Sequence, residues 1–113
     1  MAHIDSYRFG HIVVDGRSYT GDILILPHGE VKNWWRLEGH LLQMGDIEEV
    51  IRSGTTLLVV GMGAYRCMHV PEELIEALRV KGIEIYPFET SVAVRRFNDE
   101  TSPTKAAALH LTC

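Results

Sequence analysis

The 113 residues carry 11 Lys and Arg against 15 Asp and Glu, a net charge of −4, with 46% hydrophobic and 23% charged residues. That balance describes one ordinary globular domain, 1–113, long enough for a real core. It excludes a basic stripe for nucleic acid, and no apolar run approaches the roughly 18 residues that span a bilayer. Taken in chain order, the N-terminal third reads as β. Segments Arg8 to Val14 and Ser18 to Leu26 flank Asp15-Gly16, a strong hairpin-turn signal. The second arm ends in the continuous apolar run Ile23-Leu24-Ile25-Leu26, which places it centrally, with the first arm outside it. Pro27 and Gly29 then break the strand.

Asp46 is read as the N-cap of a short helix, with Glu49 completing a box-like pattern. Ile47, Val50 and Ile51 form its buried stripe, and Gly54 ends it. The remainder alternates: strand Thr56–Val60, helix Pro71–Val80, strand Ile83–Phe88, helix Ser91–Asn98 and strand Ala106–Thr112. Strands alternating with helices point to a sheet with parallel pairs. The Pro71 helix buries Leu74, Ile75 and Leu78 and exposes Glu72, Glu73, Glu76 and Arg79.

The most informative stretch is Leu57-Leu58-Val59-Val60-Gly61-Met62-Gly63, an apolar run ending in Gly-x-Gly. Loops at the carboxyl ends of such strands are where α/β sheets bind ligands. The dinucleotide fingerprint fails, because Arg66 stands where its third glycine belongs and the helix opens late. Gly61 and Gly63 are then either a tight structural turn or one wall of a small-anion or metabolite pocket. Thr90, read as the N-cap of the following helix, would face that loop if the two strands are neighbours. Arg66 is either a solvated loop residue or, since its planar fork suits a carboxylate or phosphate, the second clamp.

Cys67 and His69 suggest a thiol–imidazole pair, but no acid orients the histidine, so Cys67 reads as a small buried thiol. The six histidines show no ligand spacing, so no metal is expected, and no cofactor. His110 reads as a core or edge histidine with one hydrogen-bond partner, and Asp22 as a carboxylate capping backbone N–H groups. In extended chain the adjacent Trp34 and Trp35 point to opposite faces. One ring enters the core and the other stays partly exposed; an exposed Trp35 either marks a partner surface or covers a hydrophobic edge.

These pieces, in this order, resemble the Mth-type domain family, small α/β domains of unassigned function typified by a methanogen protein. The resemblance rests on Gly10, Asp15-Gly16, Tyr19, Asp22, Trp34, Val60-Gly61-Met62-Gly63, Gly82-Ile83-Glu84, Thr90 to Ala93, Arg96-Phe97-Asn98 and the ending Ala106 to Cys113. It implies a three-layer α/β fold with a mixed, partly parallel central sheet and an N-terminal β-hairpin packed at one side. It favours Trp34 for the core, and it implies no established reaction. Relatives include an adipogenesis-associated protein and mitochondrial complex I assembly factor 3, so the resemblance implies a protein partner rather than catalysis. The expectation is a non-catalytic protein-binding or assembly-type module, with no nucleic acid and no membrane. The alternative is a binder of a small anion or metabolite through Gly61, Gly63, Arg66 and Thr90, with catalysis left open. The start, Met1-Ala2-His3-Ile4-Asp5, shows neither a secretory nor a transit pattern, which points to the cytoplasm.

Overall fold

The computed structural model describes residues 1–113. Its first three strands, β1 (Ile4–Arg8), β2 (His11–Val14) and β3 (Arg17–Tyr19), form a small antiparallel sheet in the order β1-β2-β3. The predicted first arm, Arg8 to Val14, is β2 with the last residue of β1; β1 itself lies before it, the two strands folding at Phe9-Gly10. The predicted second arm also divides. Gly21 and Asp22 interrupt it, so β3 stays in the small sheet while β4 (Ile23–Ile25) enters the main one. The Asp15-Gly16 turn is where the pattern put it, with both residues at positive φ as a tight hairpin turn requires.

The main sheet has five strands in the order β5-β4-β8-β6-β7. β5 (Val31–Asn33), β6 (Leu57–Met62), β7 (Glu84–Phe88) and β8 (Lys105–His110) join β4. β6 lies parallel to both β7 and β8, whereas β4 is antiparallel to β8 and β5. The sheet is thus mixed, and the small sheet packs at one side. Strand β5 was missed in the sequence because three residues carry no readable period. A 3-10 turn (Met44–Ile47) leads into α1 (Glu48–Arg52), and α2 (Glu72–Val80) and α3 (Thr90–Asp99) connect the parallel strands. Asp46 is not the N-cap of this helix. It sits three residues further on, and its Oδ2 accepts the Gln43 N–H at 2.9 Å.

The crossovers β6–α2–β7 and β7–α3–β8 run in opposite directions along the sheet. Connections of one hand therefore place α2 and α3 on opposite faces. Alternation in β6 shows the result: Leu58 and Val60 join Leu74 and Leu78 of α2, while Val59 joins Ala93, Val94 and Phe97 of α3. Ile4, Ile12 and Val14 of the small sheet complete the α3 layer. β8 is buried along its whole length. Its alanines let both layers approach the sheet, which is why an Ala-rich segment is a strand here despite its helical propensity.

Candidate functional site

Gly61 lies inside β6, not in the loop after it, and pairs with Phe88 of β7 and Leu109 of β8. Thr90 does stand opposite it, as first residue of α3. The predicted capping role is not the observed one. Glu89 is the N-cap residue, and the fully buried Thr90 instead stitches three segments together. Its Oγ1 accepts the Gly63 N–H at 2.9 Å and donates to the His110 carbonyl at 2.6 Å. Its own N–H donates to the Gly63 carbonyl at 3.1 Å. A Cβ on Gly61 would lie 2.8 Å from Thr90 Oγ1, so glycine is required for this close approach.

The chain end fills the remaining space. At Gly63, with φ +99°, a Cβ would fall 2.2 Å from the Cys113 carbonyl carbon. The loop's N–H groups already have acceptors: Ala64 donates to Thr112 O at 2.6 Å, and Cys67 to Cys113 O at 3.0 Å. Gly61, Gly63 and Thr90 are thus brought together in a closed contact. Arg66 is exposed at φ 57° beside this loop, and its side chain makes no hydrogen bond. Cys67 is exposed rather than buried, and it shares no hydrogen bond with His69, also exposed.

A second site forms where β4 begins and β5 ends. Trp34 is 5% exposed; its indole N–H donates to Asp46 O at 2.8 Å, and its backbone N–H to Asp22 O at 3.0 Å. Trp35, next along the chain, is 84% exposed, and Leu37 is 83% exposed. Between them Arg36 turns inward. Its guanidinium lies 4.5 Å from the Trp34 ring centroid and donates to Asp22 Oδ2 at 2.8 Å and Gly39 O at 2.9 Å. Asp22 also receives the Leu111 N–H at 2.8 Å and lies 2.7 Å from His110 Nδ1. An ionised carboxylate only accepts, so this contact selects the Nδ1–H tautomer of His110. The Nε2 atom is buried with no partner. Burial works against the Asp22 charge, but the hydrogen bonds from His110, the Leu111 N–H and Arg36 outweigh it and hold the carboxyl below its ordinary value.

Beside this network lies an open groove of about 350 Å³, lined by Gly21, Asp22, Asn33, Trp35 and Gly39, with Trp34 and Arg36 behind. The sequence marked Asp22, Trp34, Trp35 and His110 singly. It missed Arg36, since nothing local signals that this charge folds inward.

A profile described as a protein of unknown function (DUF498/DUF598) matches residues 4–111. The chain belongs to this family. Among solved structures, MT938 is 23% identical, with TM-score 0.83 over 100% of both chains. A structure described as an outer membrane protein from Bartonella henselae is 28% identical, with TM-score 0.80 over 99% of this chain and 96% of that one. A Bordetella pertussis protein described as a Mth938-like domain is 18% identical, with TM-score 0.70 over 96% of this chain and 85% of that one. The matches at 23% and 18% identity establish the fold alone. In this DUF498/DUF598 chain the residues behind the resemblance have structural work. Asn98 of α3 holds the Ile4 backbone of β1 through both its amide atoms, at 2.9 and 2.8 Å. The Gly10 N–H donates to Leu111 O at 2.9 Å, and Tyr7 Oη donates to the same oxygen at 2.9 Å. No helix of this family member is long and apolar enough to cross a membrane.

Proposed function

We propose that this chain is a non-catalytic, cytoplasmic module that binds a partner protein through the surface centred on Trp35. The observation that carries the reading is the form of segment 34–37. Two large apolar side chains, Trp35 and Leu37, project almost fully into solvent. The residues between and beside them, Trp34 and Arg36, are tied into the body by hydrogen bonds to Asp46, Asp22 and Gly39. Even the Leu37 N–H is held, by Asp46 Oδ1 at 3.1 Å. The exposed pair is therefore held in place before any partner arrives, which removes much of the ordering cost of association. Exposed tryptophan on a pre-ordered loop is what an interface hot spot looks like before it is covered.

The alternative, an anion held between the Gly61–Gly63 segment and Thr90, finds less support. The N–H groups it needs already donate to Thr112, Cys113 and Thr90 oxygens. The two exposed free thiols, Cys67 and Cys113, suit a reducing compartment. The test compares Trp35→Ala and Leu37→Ala with Val80→Ala, a change at another exposed apolar residue. Proteins cross-linked to the wild type in cell extract are quantified by mass spectrometry. A partner depleted at least tenfold by the first two variants, and retained by Val80→Ala, is the expected result. An unchanged set in all three overturns the reading.

A further inference from the structure

The partner surface has a second component, in the backbone of β5. This strand ends the main sheet and pairs only with β4. The antiparallel register sets Ile23 against Asn33 and Ile25 against Val31. At the two ends of this ladder, the Trp34 N–H donates to Asp22 O at 3.0 Å and the Leu26 N–H to Glu30 O at 2.9 Å. Even-numbered residues of this segment thus turn their polar groups toward β4. By the alternation of antiparallel ladders, the N–H and C=O of Val31 and Asn33 point away from it, along the outer edge.

The opposite edge of the sheet is built differently. There the Glu84 N–H donates to Thr56 O on the β6 side, so the alternate residues 85 and 87 face outward. Residue 87 is proline, which has no N–H to offer a new strand. One edge is blunted and the other is open.

The open edge runs directly into the groove beside Trp35, to which Asn33 contributes. The volume of about 350 Å³ lies at the small end of the usual range for ligand pockets, roughly 300–1,000 Å³. It has room for a single large side chain. The charge around it is uneven. Lys32 is paired with Glu49, Arg36 with Asp22 and Arg52 with Glu48. Asp46 accepts only backbone N–H groups and has no cation, and the Glu38 carboxylate has neither a hydrogen bond nor an ion pair. The excess is negative, in the same sense as the net charge of −4. The open face of the Trp35 indole also favours a cation.

We infer that the site is completed by strand addition. An extended segment of a partner protein, with Lys or Arg flanking a large apolar residue, pairs with the outer edge of β5. It seats that residue in the groove beside Trp35. The inference rests on the partner-binding reading above and adds to it the form and charge of the partner segment. Main-chain bonds to Val31 and Asn33 supply affinity, and the groove and the carboxylates supply selectivity.

The experiment pans displayed random ten-residue peptides against the full chain. A synthetic copy of an enriched peptide is then followed by residue-resolved amide hydrogen exchange. Enriched sequences should combine Lys or Arg with large apolar residues. Replacing the basic residues by Glu should weaken binding at least tenfold. Saturating peptide should slow exchange at least tenfold at Val31 and Asn33, while Lys32 and Trp34, already in the ladder, change little. Peptides with helical spacing or acidic character, or no enrichment at all, overturn the inference. So does binding that protects neither Val31 nor Asn33. Protection of those two amides by concentration-dependent dimerisation also overturns it, because the occupant is then a second copy of this chain. Binding that is lost in Trp35→Ala yet leaves both amides unprotected refutes strand addition alone and leaves the partner-binding reading standing. Binding that ignores Trp35 removes both.

Discussion

Thr90→Val tests the junction of β6, α3 and β8 with almost no change of shape. Thr90 is fully buried, and its hydroxyl makes two bonds, from the Gly63 N–H and to the His110 carbonyl. Valine removes both and leaves a buried donor and a buried acceptor facing a methyl group. Each of these two orphaned buried groups costs about 1–3 kcal/mol, so the loss is about 2–6 kcal/mol. Thr90→Ser keeps the hydroxyl and loses only the methyl that packs over Gly61, at about 1 kcal/mol. Urea unfolding at 25 °C measures both. For a chain of this size, with about 4 °C of Tm per kcal/mol, the valine variant should melt about 8–24 °C early. The ranking wild type, serine, valine is the signature of the hydroxyl. A valine variant within 0.5 kcal/mol of wild type, or one more stable than the serine variant, refutes the stitching role.

Gly63→Ala should be among the most damaging single changes, because its Cβ would overlap the Cys113 backbone at a φ of +99°; a soluble variant with wild-type Tm would show that the chain end can move aside freely. Asp22→Asn should flatten the acid limb of stability. The native Asp22 carboxyl lies below its ordinary value of about 3.9, so its contribution is complete above that value and lost as the pH falls through the lowered native one. The gap between wild type and Asp22→Asn in urea midpoint should narrow from pH 7 to pH 3. A gap that stays constant contradicts the assignment.

Hydrophobic period carried most of the architecture into the sequence. Leu74, Ile75 and Leu78 at helical spacing marked α2, and the continuous run before Gly61 marked a strand covered on both faces. The errors are local and physical. The single arm drawn from Ser18 to Leu26 hides a change of sheet, because Gly21-Asp22 breaks the strand without breaking the apolar pattern. Asp46 looked like a cap because capping residues and carboxylates that hold loops have the same chemistry. Here it caps from the third helical position, accepting the N–H of the N-cap residue Gln43, and it also holds the Leu37 N–H.

The candidate sites divide the same way. Alternation in extended chain was enough to part Trp34 from Trp35, since successive side chains take opposite sides, but which ring goes inward came from the family resemblance, and Trp34 is the buried one. The Gly-x-Gly was legible as a place where backbone comes close. What comes close was not legible: Thr90 and the chain end at Cys113 rather than open space. Arg36 and His110 are 74 residues apart, and both reach Asp22. Local physics, meaning hydrophobic period, turn chemistry and the alternation of side chains, was written in the sequence by itself, because each acts over a few neighbouring residues. The tertiary structure alone decided which distant groups meet, because a hydrogen bond between β4 and β8 exists only after the sheet has set their order. It alone also left one edge of that sheet open, since an edge is a property of the assembled strands and of no single segment.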